Sequence, residues 1–253
     1  MTITDRQMRV LDLRKGGLKQ VKVAEALRVS QAAVSQAEKS AMIRFKQAVE
    51  EIERFEGNGL LCYARVAEDP IENARIVLSH VCLPYMASGS FAQWLLISYQ
   101  YFSIEDPIIL RVPMADVGRW MGFYGSKVVP MGNTEFEEMF ARARRCGGVT
   151  IAPLEAVVVD CVMQGRGREA SAVVICMRNE IDFNTLRELA RRCGVLDPVS
   201  YIVHEISDLT KDIDVVVIPK AAVRNFPKPV RKYREYEVAK VVHDNSDYLR
   251  RIS

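Results

Sequence analysis

Residues 20–39 read QVKVAEALRVSQAAVSQAEK, and the spacing of their small and apolar positions predicts two short helices crossing at a steep angle. Val23 and Leu27 fall on the inner face of the first helix, and Ala24 is small enough to let the second approach. Val29 is placed to plug the turn, and Ser30 to cap the second helix by accepting a backbone N–H. Val34 and Ala37, three apart, turn that helix inward. Gln31, Ala32, Ser35 and Gln36 are then left outward, short or amide side chains suited to reading base edges in a major groove. Gln20, Lys22, Arg28 and Lys39 are placed to hold phosphates. The pattern is that of a helix-turn-helix, although an ordinary pair of amphipathic helices satisfies the same spacing. Arg28 stands at a turn position often held by glycine, so a left-handed backbone there carries strain.

Working outward, Thr4 and Gln7 form a T-x-x-Q capping box with Ile3 and Met8 as its hydrophobic staple. Val10, Leu11 and Leu13 supply a buried side until Gly16-Gly17 stops this first helix, giving a three-helix unit. Downstream, Val34, Ala37, Ala41, Phe45, Ala48, Ile52 and Phe55 keep spacings of three and four. They predict one long amphipathic helix, broken at Gly57-Asn58-Gly59. Ala41, Phe45, Ala48 and Ile52 can act as a dimer seam that sets two recognition helices on a palindrome. The same stripe also suits packing against the chain's own second domain.

The charge distribution agrees with a nucleic-acid partner. The 253 residues carry a formal net charge of only +3, but residues 1–46 hold ten Lys and Arg against four Asp and Glu. Residues 219–234 hold Lys220, Arg224, Lys228, Arg231, Lys232 and Arg234 with no acid. An apolar fraction of 49% at this length supports two cores. No apolar run reaches the roughly 18 residues of a membrane span, and there is no signal-peptide apolar region, so a cytoplasmic protein is expected. The six scattered cysteines, without CxxC pairs, read as buried thiols rather than a disulfide frame or a zinc site.

TDRQMRVLDLRKGG at 4–17 and KQVKVAEALRVSQAAVSQAEKSA at 19–41 resemble the Tfx-type archaeal transcription regulators. The likeness covers about the first 55 residues, and it implies DNA binding in an archaeal regulator. The family usually has glycine where Arg28 stands.

Beyond the glycine break, 60–66 (LLCYARV) suggests a strand and Pro70 opens a helix through about His80. A helix follows from the 88–90 region within 84–102, then β-rich stretches at 108–113 and 126–131 around a loop bearing Trp120, Phe123 and Tyr124. Residues 135–146 read as a charged helix or turn, and GGVTIA as a short strand. In PLEAVVVDCVMQ the β-branched triplet Val157–Val159 favours strand, while Pro153 and the length favour helix, which is the expectation here. Helices are expected at 169–177, from an Asp182 cap to Gly194, and from Asp197-Pro198 to about Leu209, with a strand at 215–219. PYMASGSFAQWLLISYQYFSIEDPIILRVP and VTIAPLEAVVVDCVMQGRGREASAVVICMRNEIDFNTLRELARRCG resemble the AbiEi antitoxin and transcriptional-regulator family over about 84–205. That resemblance implies an autoregulator paired with a nucleotidyltransferase-like toxin.

Catalytic signatures do not emerge. His80, His204 and His243 form no HExxH-type metal pattern, and no Ser/His/Asp or Cys/His grouping stands out. Glu155 and Asp160, five apart on a helix, do not stack as a carboxylate pair. No enzyme activity, cofactor or metal is expected. Gln164–Glu169 (QGRGRE) is a glycine-rich turn opening a helix, where Arg166 and Arg168 could touch phosphate or a partner, but it lacks the P-loop lysine. A simple helix–helix turn explains it as well. Lys228, Arg231 and Lys232 with nearby aromatics suit a second nucleic-acid contact, and a solvated extension fits equally; Pro227 and Pro229 exclude a regular helix.

The expected architecture is α+β. A three-helix helix-turn-helix unit with a long helix occupies 1–56, a helix-rich mixed α/β domain 60–219, and a basic tail 220–253. The expected function is a sequence-specific, homodimeric, autoregulating DNA-binding transcription regulator of double-stranded DNA. The alternatives are an antitoxin that binds a toxin protein and, third, a nucleic-acid-processing enzyme.

Overall fold

The computed structural model of the chain describes residues 2–59, 61, 64–97, 107–211 and 218–245. The chain divides into two compact units, Met1–Pro84 with Ala115–Ser126, and Tyr85–Met114 with Lys127–Ser253. Unit 1 opens with helices α1 (Asp5–Lys15), α2 (Gln20–Leu27), α3 (Gln31–Gly57) and α4 (Pro70–His80). The chain enters unit 2 through β1 (Met86–Ser88), α5 (Gly89–Ile97) and β2 (Ile109–Pro113). It returns to unit 1 for the short helix α6 (Val117–Trp120), then resumes unit 2 with β3 (Lys127–Met131), α7 (Asn133–Phe140), β4 (Arg144–Cys146) and β5 (Val149–Ile151). Helices α8 (Leu154–Met163), α9 (Gly167–Cys176), α10 (Phe183–Arg192) and α11 (Leu196–Lys211) follow. Helices α12 (Lys220–Asn225) and α13 (Val238–Asp244) close the described chain.

In unit 1 the local signals act as sequence predicts. The Thr4 hydroxyl accepts from the Gln7 N–H at 3.3 Å, and Gln7 Oε1 accepts from the Thr4 N–H at 3.1 Å. Val10, Val23, Ala24 and Val34 form one buried cluster, with Leu13, Leu27, Val29 and Ala37 packed on it. This cluster joins α1, α2 and α3. The long α3 runs without interruption along its apolar stripe, of which Val34, Ala41, Ala48 and Ile52 are buried and Ala37, Phe45 and Phe55 half-buried. Its C-terminal half packs on α4, where the Phe45 ring meets the His80 ring edge-on at 5.0 Å.

Two sequence expectations need correction here. Of the strand expected at 60–66, residues 60, 62 and 63 lie outside the described residues, and Leu61 and 64–66 are not in a strand. Their backbone groups are satisfied by a side chain instead. Asn73, fully buried on α4, accepts from the N–H groups of Val66 (2.6 Å) and Ala67 (2.8 Å) and donates to Ala64 O (3.1 Å). The loop around Trp120 is part of unit 1, where Trp120 and Phe123 are buried and meet edge-on at 5.5 Å. Tyr124 donates its hydroxyl hydrogen to Ala64 O.

Unit 2 is built on a five-stranded mixed sheet of order β3-β2-β1-β5-β4. β1 lies at its centre, antiparallel to β2 (Met86 opposite Arg111) and parallel to β5 (Ala87 opposite Ile151). β2 and β3 run parallel, and β4 and β5 antiparallel. The 135–146 stretch, read as one charged helix or turn, splits into α7 and strand β4. Gly147 and Gly148, at φ 57° and 88°, make the two-residue turn into β5. PLEAVVVDCVMQ is helical despite its valines, because α8 is buried on all sides by α5, α9 and α10. It carries Asp160, whose carboxylate receives both arms of buried Arg111 at 2.9 and 2.7 Å. The helix in 84–102 begins after a strand, and its stretch beyond Ile97 falls outside the described residues. So do 215–217 of the expected strand at 215–219; Ile218 and Pro219 are not in a strand.

The unit boundaries differ from 56/60 and 219/220. α4 packs with α3, and residues 220–245 fold onto α9, α10 and α11. Phe226, Tyr233, Tyr236, Val238 and Val241 are buried, so this segment is part of the unit 2 core. Burial of each such aromatic is worth about 1.5–3 kcal/mol, which a solvated extension would forgo. As expected, no helix spans Pro227 and Pro229. Among the described residues no helix is long and apolar enough to cross a membrane.

Candidate nucleic-acid interface

The first three turns of α3 carry the side chains singled out from sequence. Ser30 caps them, its hydroxyl accepting from the Ala33 N–H at 3.1 Å. Val34 and Ala37 face the three-helix core, so Gln31, Ala32, Gln36 and Lys39 are exposed and Ser35 is half-buried. Gln31, Ser35, Gln36 and Lys39 have no side-chain hydrogen bond or ion pair to any described residue. Their amide, hydroxyl and ammonium groups are open to an external partner.

The expected phosphate holders are placed less uniformly. Arg28 sits in the turn between α2 and α3 at φ 53°, ψ 47°, fully left-handed, as its position required. Its side chain is exposed and has no partner among the described residues. Lys22 is exposed but bonded at 2.8 Å to Glu25, which raises its pKa through that hydrogen bond and the Glu25 charge. The pair is solvent-exposed, so the contact is weak and easily exchanged. Gln20 donates to Glu38 Oε2 at 2.8 Å and is committed within the unit.

Glu38 was not anticipated. Its carboxylate takes the Gln20 amide from α2 and Arg14 Nε from α1 (3.0 Å), while Arg14 also donates to Leu18 O at 2.6 Å. These bonds, Gln20 first and Arg14 second, hold the Glu38 carboxyl below its usual pKa. One acid therefore ties α1, α2 and α3 together behind the exposed face. Gln7 plays a parallel part. Its Nε2 donates to Ser40 Oγ at 3.0 Å and its Oε1 accepts from Arg44 at 3.0 Å. The sequence signal was present in both cases, but partners 18 to 37 residues apart cannot be assigned from spacing.

The expected dimer seam is occupied within the chain. Ala41 and Ile52 are 0% and Ala48 1% exposed in the single chain, and Phe45 lies on His80. Ala41, Ala48 and Ile52, already buried within the chain, have no surface left to donate to a two-fold contact, and half-buried Phe45 is engaged by His80. The stripe serves the folding of unit 1 instead.

Arg166 and Arg168 are likewise drawn into the fold of unit 2. Arg168 pairs with Glu237 at 2.7 Å, and Arg166 is half-buried at the start of α9. A side chain at Gly167 would place its first carbon 1.9 Å from the Tyr236 ring, so that ring covers the helix N-terminus a phosphate would need. QGRGRE is a packing turn. Gln164 reaches across it, accepting from the Ser90 N–H and donating to Pro107 O, both at 3.0 Å. By contrast Lys228, Arg231 and Lys232 are exposed.

Unit 2 also contains a cavity of about 470 Å³ lined by Glu135, Glu138, Arg142, Glu155, Glu188 and Arg192 among others. Glu155 is buried there between Arg142 (2.9 Å) and the Asp182 N–H (2.8 Å). Among the described residues no group of three or more His, Cys, Asp or Glu is arranged to hold a metal ion. The five described cysteines form no disulfide, but the expectation of buried thiols holds only for Cys161: Cys82 is exposed and Cys146, Cys176 and Cys193 are half-buried; Cys62 lies outside the described residues. No family model, curated protein or solved structure matches this chain.

Proposed function

We propose that the chain is a sequence-specific DNA-binding transcription regulator in which α2, the Arg28 turn and the start of α3 act as a helix-turn-helix. The observation that carries this reading is the exposed face Gln31–Lys39, whose polar groups have no partner among the described residues while the opposite face is locked by Glu38 and the apolar cluster. A rigid helix with free amides near its N-terminus matches the way recognition helices address base edges in the major groove. Gln31, Ala32, Ser35 and Gln36 contact bases, and Arg28 and Lys39 contact phosphates. Lys22 and Gln20 are secondary, since binding must first loosen their internal bonds.

The test is selection of the purified chain against a random duplex pool, followed by footprinting of the enriched sequence and of the DNA upstream of its own gene. An enriched motif, protected in the presence of random competitor, is the expected result. Two half-sites about one helical turn apart would establish a dimer on the DNA. Retention of the pool without enrichment would overturn sequence-specific reading.

A further inference from the structure

We propose that residues 219–234 form a second nucleic-acid-binding surface, a folded basic loop on unit 2 that grips the phosphate backbone without reading sequence. Lys220, Arg224, Lys228, Arg231, Lys232 and Arg234 are all exposed, no acid interrupts them, and none makes an ion pair among the described residues. Elsewhere in unit 2 Arg191 and Arg192 pair with Glu188 and Lys211 with Asp208, while the exposed Lys127, Arg145 and Lys240 stand singly along the chain. The six cations concentrate positive charge along one folded segment, with Glu235 beside its end acting on Arg231, and such a segment attracts a polyanion.

The loop is held in shape from beneath. Phe226 is buried, and its carbonyl lies 3.3 Å from His204 Nε2. Asp197 accepts from the Val230 N–H at 2.6 Å and from the Tyr233 hydroxyl at 2.8 Å. Tyr233 in turn lies between Tyr201 and Tyr236, with ring centroids 5.6 and 5.2 Å away. The side chain of Val230 is 92% exposed while its backbone is tied down, so the stretch between Lys228 and Arg231 is pushed outward. Arg231 is steadied over the Tyr233 ring at 4.3 Å. Pre-ordered cations lose less freedom on binding than a flexible tail. The choice of nucleic acid as the polyanion rests on the DNA-binding reading of α3, which brings duplex to the same chain.

The experiment uses the full chain and fluorescence anisotropy on the selected duplex and on a random duplex, from 50 to 300 mM salt. The variant Arg224→Gln/Lys228→Gln/Arg231→Gln/Lys232→Gln leaves Arg234 in place beside Glu235. Four lost phosphate contacts lower the salt slope by about 3–4 and the affinity by about tenfold or more, equally on both duplexes. A second variant, Arg224→Lys/Arg231→Lys, keeps the charge and is expected to keep the slope. An unchanged slope in the first variant, an equal loss in the second, or binding of the wild type to phosphatidylserine vesicles with no change on DNA would each overturn the proposal. If the wild type enriches no sequence but the first variant still loses affinity for random duplex, the reading of α3 fails and this one stands.

Discussion

Arg28 separates the structural from the functional content of the α2–α3 turn. Its backbone is left-handed at φ 53°, where any side chain with a Cβ costs about 1–2 kcal/mol. Glycine removes that strain but loses more chain entropy on folding, about 0.5–1 kcal/mol, so Arg28→Gly is expected to stabilise the turn by about 0.5–1 kcal/mol net. Arg28→Ala keeps the Cβ and the strain and removes only the guanidinium. The bond that reports on the turn is the Val29 N–H to Ala24 O, at 3.0 Å. Its hydrogen exchange, when limited by local opening, slows about two- to fivefold in Arg28→Gly and stays near wild type in Arg28→Ala. If Arg28 holds a phosphate as proposed, both variants lose that contact and the salt slope of DNA binding falls by about 0.9 in each. Faster exchange in Arg28→Gly than in Arg28→Ala would refute the strain argument. An unchanged slope in both would remove Arg28 from the DNA contact.

On the reading face, Gln36→Ala is expected to weaken binding to the selected sequence by about 1–3 kcal/mol while leaving random-duplex affinity and the salt slope alone; equal loss on both duplexes would exclude a base contact. The depressed Glu38 pKa gives unit 1 stability that is complete above the ordinary value of 4.5 and lost as pH falls through the lower folded value. Amide protection in α2 should therefore drop below about pH 4.5 in wild type, and parallel acid profiles for wild type and Glu38→Gln would dismiss the Glu38 link. In unit 2, Arg111→Ala strands a buried Asp160 and costs about 3–5 kcal/mol in urea denaturation, whereas Arg111→Met/Asp160→Leu recovers most of it. A mild single variant would mean that water reaches the pair.

Unit 1 was legible where the determining interactions are local. The Thr4–Gln7 box, the Ser30 cap and the spacing of Val23, Ala24, Val29 and Val34 all act within a few residues, and each stands where the pattern put it. The long helix was equally clear from its period, but not the partner of its stripe. Spacing shows that Ala41, Ala48 and Ile52 are buried, never against what, and α4 lies too far along the chain to be read as the answer. The same limit hid Asn73, whose side chain serves the backbone of Ala64, Val66 and Ala67, at the described end of the strand expected over 60–66. In unit 2 the basic run between Pro219 and Arg234 looked like a tail because its composition is charged and proline-broken. What orders it is a few aromatics and one acid, Asp197, more than thirty residues upstream of Tyr233.

The occupation of the α3 stripe bears on how DNA binding would work. A helix of this length whose C-terminal half forms a dimer seam would order its reading face only on association. Here the C-terminal half packs on α4 with Ala48 and Ile52 buried, and Gln7 and Arg44 pin its middle to the N-terminal segment, Arg44 donating to Thr2 O at 2.9 Å. The face Gln31–Lys39 is therefore presented by one chain with its supporting bonds already made. Preorganisation of this kind removes part of the ordering cost of binding without adding a contact. It also shifts the burden of pairing two half-sites from α3 to the DNA spacing and to surfaces beyond the stripe.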